Sequence, residues 1–193
     1  TVMTEQWRLV NGTELYDIQK DRSQKNDIAA DHPEVVANLR EAYEKRWTDI
    51  SEKFDQYVPI YVGSPKENPT LITSHDWHSN NVPWNHGAIK AMPWANGVWA
   101  IRIVADGRYR FTLRHRPGYC EFPLQAVSAK VTVAADRDLN HSAAEGQASV
   151  AEGDCGAPIE LDLKTGEYFL QTYLTDESGK SRGAFYVDAE KID

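Results

Sequence analysis

The hydrophobic period of this chain changes once, near residue 57, and that switch constrains the fold more than any other feature. Before it, Val36, Leu39, Tyr43, Trp47, Ile50 and Phe54 recur at steps of three or four and build an apolar stripe along one side of a long helix. After it the helical period is gone. Short runs at 58–62, 99–103, 108–114, 129–133, 159–163, 168–174 and 184–187 take over, several alternating in steps of two, with Gly, Asp or Asn turns between them. Such a series reads as an antiparallel β-sandwich of the jelly-roll or immunoglobulin-like kind. The expected chain is therefore mainly β with one long helix: an N-terminal β-hairpin plus α-helix over 1–57, then a β-sandwich over 58–193. Gly107-Arg108-Tyr109 and Gly166-Glu167-Tyr168 echo each other and are read as one hairpin device used twice.

In the first region, runs at 7–10 and 14–18 flank Asn11-Gly12, a strong turn signal. A polar loop follows over 19–30. Pro33 then opens the helix, where its missing N–H costs nothing, with Asp31 and Glu34 near the positive end. A lone hairpin is too small to cover the helix stripe. The stripe is expected to be core, packed on the second region or on another copy. The hairpin's strand edges are expected to be open, which permits homodimer formation by edge pairing.

Composition excludes several classes. The net charge of −8 over 193 residues argues against nucleic-acid binding, which needs a basic footprint. No apolar run approaches the roughly 18 residues of a membrane span. The opening Thr1-Val2-Met3-Thr4 carries no basic-then-apolar signal and suits an internal fragment. There is no G-x-S-x-G elbow, no phosphate-cradling G-x-x-x-x-G-K-S/T and no G-x-G-x-x-G opening a helix. Cys120 and Cys155 are the only cysteines, and the sequence leaves open whether they pair.

Glu14-Leu15-Tyr16-Asp17-Ile18, a charged turn, and Asp31-His32-Pro33-Glu34-Val35-Val36 resemble the C-terminal end of type I sulfatases, the arylsulfatase family. The resemblance continues through Asn68-Pro69-Thr70, His75-Asp76-Trp77, 107–111, Leu170-Gln171-Thr172 and 182–187, which look like an accessory β-domain of many bacterial sulfatases. It departs at Arg22, where the family's turn has Asp-Pro, and at His115, where the family often has a second arginine. The resemblance implies a parent that hydrolyses sulfate esters with a formylglycine beside a calcium ion. It also implies a periplasmic or secreted location, which permits a disulfide. The formylglycine arises from a C/S-x-P-x-R motif, and no Cys or Ser of this chain lies in one. The chain is expected to be inactive alone, to start after the catalytic machinery, and to serve a structural role against the catalytic domain of the same polypeptide.

Three constellations are candidate sites. Arg102, Arg108, Arg110, Arg114 and Arg116 lie on two neighbouring strand segments, and alternation is expected to gather them on one face, suited to a sulfated glycan or an acidic domain. The plainer account is a solvated face paired with nearby acids. His75, Asp76, His78 and His86 crowd one stretch beside Trp77 and Trp84, but their spacing is no standard zinc pattern, and a polar loop with packing tryptophans is the preferred reading. Trp77, Trp84, Trp94 and Trp99 are weighed as a sugar platform against core packing. From these, Arg102, Arg108, Arg110, Arg114, Arg116, Trp77 and Trp84 are expected to contact substrate or another domain. The alternative to the sulfatase appendage is a free-standing carbohydrate-binding module for acidic or sulfated glycans.

Overall fold

A computed structural model describes residues 1–193, which fall into two compact units, Thr1–Tyr57 and Val58–Asp193. In the first, β1 (Val2–Met3), β2 (Trp7–Val10) and β3 (Glu14–Asp17) form an antiparallel sheet in that order. The β2–β3 loop is Asn11-Gly12-Thr13. Asn11 and Gly12 both adopt positive φ, and the Thr13 N–H donates to the Val10 carbonyl at 3.1 Å. Helix α1 (Pro33–Ser51) follows with its proline in the first turn.

Only the N-terminal half of the helix stripe is covered. Leu39 buries against Leu9 and Leu15, with Trp7, Ile28, Val35 and Val36 around them. Tyr43, Trp47 and Phe54 keep 39%, 43% and 59% of their surface exposed, contrary to the expectation that the whole stripe is core. The reason is size: a short sheet reaches only two turns along a helix of 19 residues. The aromatics pack on one another instead, Tyr43 stacked on Trp47 at 5.9 Å and Trp47 edge-on to Phe54 at 5.2 Å.

The hairpin edges are less open than expected. β1 pairs with β2 on one side. On the other, the Leu15 N–H donates to Asp27 Oδ1 at 3.0 Å and the Ile28 N–H donates to the Leu15 carbonyl at 2.9 Å, so the chain itself covers part of β3.

The second unit contains β4 (Ile60–Val62), β5 (Thr70–Thr73), the short helix α2 (His86–Lys90), β6 (Trp99–Ile103), β7 (Gly107–Arg114), β8 (Ser128–Ala134), β9 (Ser142–Ser149), β10 (Ala157–Leu163), β11 (Gly166–Thr175), β12 (Ser181–Arg182) and β13 (Tyr186–Lys191). One sheet runs β10-β7-β13-β5; the other runs β4-β6-β11-β8-β9, with β12 on β11. All pairs are antiparallel except β4 with β6. Tyr109, Phe111 and Leu113 of β7 face Trp99, Ile101, Ile103 and Leu170 in a shared core that also holds Phe185 and Val187. This is the expected β-sandwich.

The turn at Asp106-Gly107 joins β6 and β7, and that at Lys164-Thr165 joins β10 and β11. In each case the two strands belong to opposite sheets. The echo in the sequence thus marks two crossings between sheets, not two hairpins. Asp106 ties them together: its carboxylate accepts from the Thr165 N–H and hydroxyl and from Lys164 Nζ. These bonds lower its pKa to about 2.

Strands β5, β9 and β12 carry no alternation that sequence reading detects. In β9 the residues are small and polar because it packs closely on β10: a Cβ on Gly146 would lie 2.5 Å from Ile159 Cγ2. Gly63 shows the same constraint with a harder neighbour. It adopts φ +82°, and a Cβ there would meet the Tyr109 hydroxyl at 2.5 Å, while that hydroxyl is held by the Ala105 carbonyl at 2.6 Å. Gly63→Ala is expected to cost about 2–4 kcal/mol in chemical denaturation, combining left-handed strain with overpacking. A loss below about 0.5 kcal/mol would contradict this packing.

Candidate functional site

The arginines do not share a face. Arg102 lies on β6 and Arg108, Arg110 and Arg114 on β7, in different sheets, because the connection crosses the sandwich instead of folding back. Arg116 leaves the sheet altogether. Its Nη1 donates to the Ile89 and His115 carbonyls at 3.0 Å each and its Nη2 to that of Lys90 at 3.3 Å, while the guanidinium sits 4.6 Å over the Phe122 ring. It caps the end of α2.

The β7 arginines are matched by carboxylates on the neighbouring strands, directly opposite for Arg110 and two positions along for Arg108 and Arg114. Glu160 pairs across with Arg110 in β10, and Glu190 does so in β13. Arg110 Nη2 lies 2.8 Å and Arg108 Nε 3.0 Å from Glu160, Arg110 Nη1 3.5 Å from Glu190, and Arg114 Nε 2.9 Å from Asp188. The bond from Arg110, then the charge of Arg108, hold the Glu160 carboxyl below its ordinary value. Arg102 meets Glu167 at 3.4 Å. The guanidiniums of β7 already hold carboxylate partners that a sulfate would need to displace.

The histidine stretch does not converge. His75, Asp76 and His86 are exposed and His78 is half-buried, its N–H bonded to the Val98 carbonyl at 2.8 Å. No group of three or more His, Cys, Asp or Glu side chains is placed to hold a metal ion. Trp77 is buried, 5.7 Å from Trp99 and 5.9 Å from Phe185, so it is core and not a contact surface. Trp99 is fully buried as well, with its indole N–H on the Thr73 carbonyl. Trp84 stands 71% exposed. Cys120 and Cys155 are both free thiols.

The chemically unusual place lies at the loop end of the sandwich, where a groove of about 750 Å³ is lined by residues that include Trp94, Gln125, Glu152, Asp176, Glu177 and Arg182. Arg182 is 5% exposed, and its guanidinium carbon sits 3.5 Å from the centroid of the Trp94 ring. Its Nη1 donates to the Met92 carbonyl, and its Nε is buried with no partner. Lys180 Nζ lies 4.4 Å from the same ring. Desolvation pushes the Arg182 pKa down, against a weaker upward pull from Asp176. Asp176 does not pair with it at ion-pair distance; its Oδ1 accepts from the Ser178 N–H, the Ser178 hydroxyl and the Lys180 N–H. Sequence reading weighed Trp94 only as one tryptophan among several and did not single out Arg182. The two are 88 positions apart, and no local pattern joins them.

These pairings define the second unit as a β-sandwich domain. No family model matches the chain, and no curated protein sequence matches it. Solved structures similar to it include a ruminal GH26 endo-β-1,4-mannanase, at TM-score 0.41 and 16% identity over 66% of this chain and 26% of that one. They also include the carbohydrate-binding module CBM6cm-2 from Cellvibrio mixtus lichenase 5A in complex with cellotriose, at TM-score 0.36 and 12% identity over 66% of this chain and 100% of that one. The chain thus spans about a quarter of the mannanase's length. No helix is long and apolar enough to cross a membrane.

Proposed function

We propose that this chain is the non-catalytic C-terminal portion of a bacterial sulfatase, exported to the periplasm or beyond. Its first unit docks on the catalytic domain of the same polypeptide. The observation that carries this reading is the aromatic run Tyr43, Trp47 and Phe54, which the sheet of its own unit leaves uncovered. An exposed aromatic run of this size is costly to leave in water and suits an interface. The formylglycine and calcium of type I sulfatases would belong to the upstream domain. Neither cysteine lies in the required motif and no donor cluster is formed, so the residues of this chain do not fit that centre.

A second reading, carbohydrate contact by the sandwich, is supported by the exposed Trp84 and by the groove holding Trp94. It is compatible with the first, since a docked module remains free to hold substrate.

The docking reading is tested with Tyr43→Ser, Trp47→Ser and Phe54→Ser combined. In the separate chain, urea denaturation is expected to lose only about 1–2 kcal/mol, from the packing of the three rings on one another, because much of their surface is in water. In the chain joined to its upstream domain, the same change is expected to cost about 3 kcal/mol or more. Equal small effects in both would sink the docking reading.

A further inference from the structure

We propose that the groove at the loop end of the sandwich binds an acidic sugar, with Arg182 taking its single sulfate or carboxylate and Trp94 its apolar ring face. This deepens the carbohydrate reading and rests on it, by naming the place and the charge that selects the ligand.

Removing a guanidinium from water costs several kcal/mol unless a counter-charge and further hydrogen bonds compensate. Arg182 is almost wholly buried, yet it holds one bond to the Met92 carbonyl, leaves Nε unpaired and has no carboxylate within ion-pair reach. The cations of β7 provide the internal contrast, since Arg108, Arg110 and Arg114 each have an acid from a neighbouring strand. A desolvated cation with spare donor capacity at the wall of a groove is an anion site awaiting its anion.

The remaining walls narrow the class. Trp94 keeps 41% of its surface exposed, and an indole carries apolar area of the kind that packs on the C–H groups of a pyranose. Arg182 is stacked on this indole, and Lys180 lies over it too, so anion and ring contacts fall within one sugar's width. Gln125 adds an amide able to donate and accept toward hydroxyls. Glu152, Asp176 and Glu177 line the same groove and would accept from sugar hydroxyls while repelling a densely charged polyanion. The groove therefore suits a sugar carrying one negative group, not a nucleic acid or a heavily sulfated chain. Its volume falls within the range of about 300–1,000 Å³ usual for small-ligand sites.

The test is titration calorimetry on the full chain with a galactan tetrasaccharide bearing a single sulfate, its desulfated counterpart, a tetrasaccharide bearing a single uronic acid and inorganic sulfate. The sulfated or the carboxylated tetrasaccharide is expected to bind at least about tenfold more tightly than both the desulfated sugar and free sulfate, and to weaken as salt rises. Trp94→Ala and Arg182→Gln are each expected to weaken that binding about tenfold or more, while Tyr61→Ala, at an exposed ring of β4 outside the groove, leaves it unchanged. Because Arg182→Gln also loses the Met92 bond, its melt is compared with wild type, and Trp94→Ala together with Gln125→Ala stands in if it unfolds. Binding of the acidic sugar that survives Trp94→Ala would overturn the groove while keeping the sandwich as a carbohydrate contact. Desulfated sugar binding as tightly would overturn the charge selection. No binding by any of the four probes up to about 5 mM would overturn the groove and the carbohydrate reading together.

Discussion

Phe111→Ala is expected to destabilise the sandwich by about 3–5 kcal/mol. Phe111 lies at the middle of β7, which is hydrogen-bonded on both sides, to β10 through Ile159 and to β13 through Ala189. Its ring is fully buried in the core shared by the two sheets. Neighbours held in sheet ladders cannot collapse into the space left behind, so the truncation loses both the transfer free energy of the ring and the contacts around the cavity. The check is urea denaturation followed by tryptophan fluorescence, with the slope compared to wild type so that a change in midpoint reads as stability. A loss smaller than about 1 kcal/mol would remove Phe111 from the core and with it the inward face assigned to β7.

The second large effect is a loss of stability in mild acid, set by His115. The ring is fully buried between Phe122 and Phe185, and neither ring nitrogen has a partner. Burial lowers its pKa to about 4, and the positive charges of Arg182 and Arg116 push in the same direction. In the unfolded chain the imidazole titrates near its ordinary value of about 6.5. The unfolded state therefore binds the proton first as pH falls. The contribution of a neutral buried His115 is fully present above about pH 6.5 and is lost progressively down to about pH 4, reaching about 3 kcal/mol. Replacing it by an apolar side chain removes the titration and leaves no polar group unpaired. Stability of His115→Leu measured from pH 7 to pH 4 is accordingly expected to fall less steeply than wild type by about that amount. Parallel curves would contradict the burial of the ring.

The parts of this fold that were legible in the sequence are those whose side chains carry the periodicity. Tyr109, Phe111 and Leu113 alternate with arginines, and they point into the core as alternation requires. Leu170 and Leu174 do the same in β11. Strand β9 was not legible because close packing on β10 selects small residues, which erases the contrast between faces. Nor was the sheet to which each strand belongs: a Gly-containing turn serves a hairpin and a crossing equally, and taking the one at Gly107 for the former gathered Arg102 with the β7 arginines. Periodicity places the helix stripe from Val36 to Ile50, but Phe54 lies in the turn beyond Ser51, and periodicity does not say how far a partner extends, so the exposure of the aromatic half is not legible. The candidate groove was the least legible feature. Trp94 and Arg182 meet only through the folding of β12 onto β11, and nothing local distinguishes a buried arginine from a solvated one.

The account is tested most directly by peptide mapping, with intact mass, of the native polypeptide that contains these residues. A sulfatase appendage requires peptides upstream of Thr1 in the same chain, one of them bearing a C/S-x-P-x-R site converted to formylglycine. A mature polypeptide beginning at Thr1, with no such peptide attached, would contradict it.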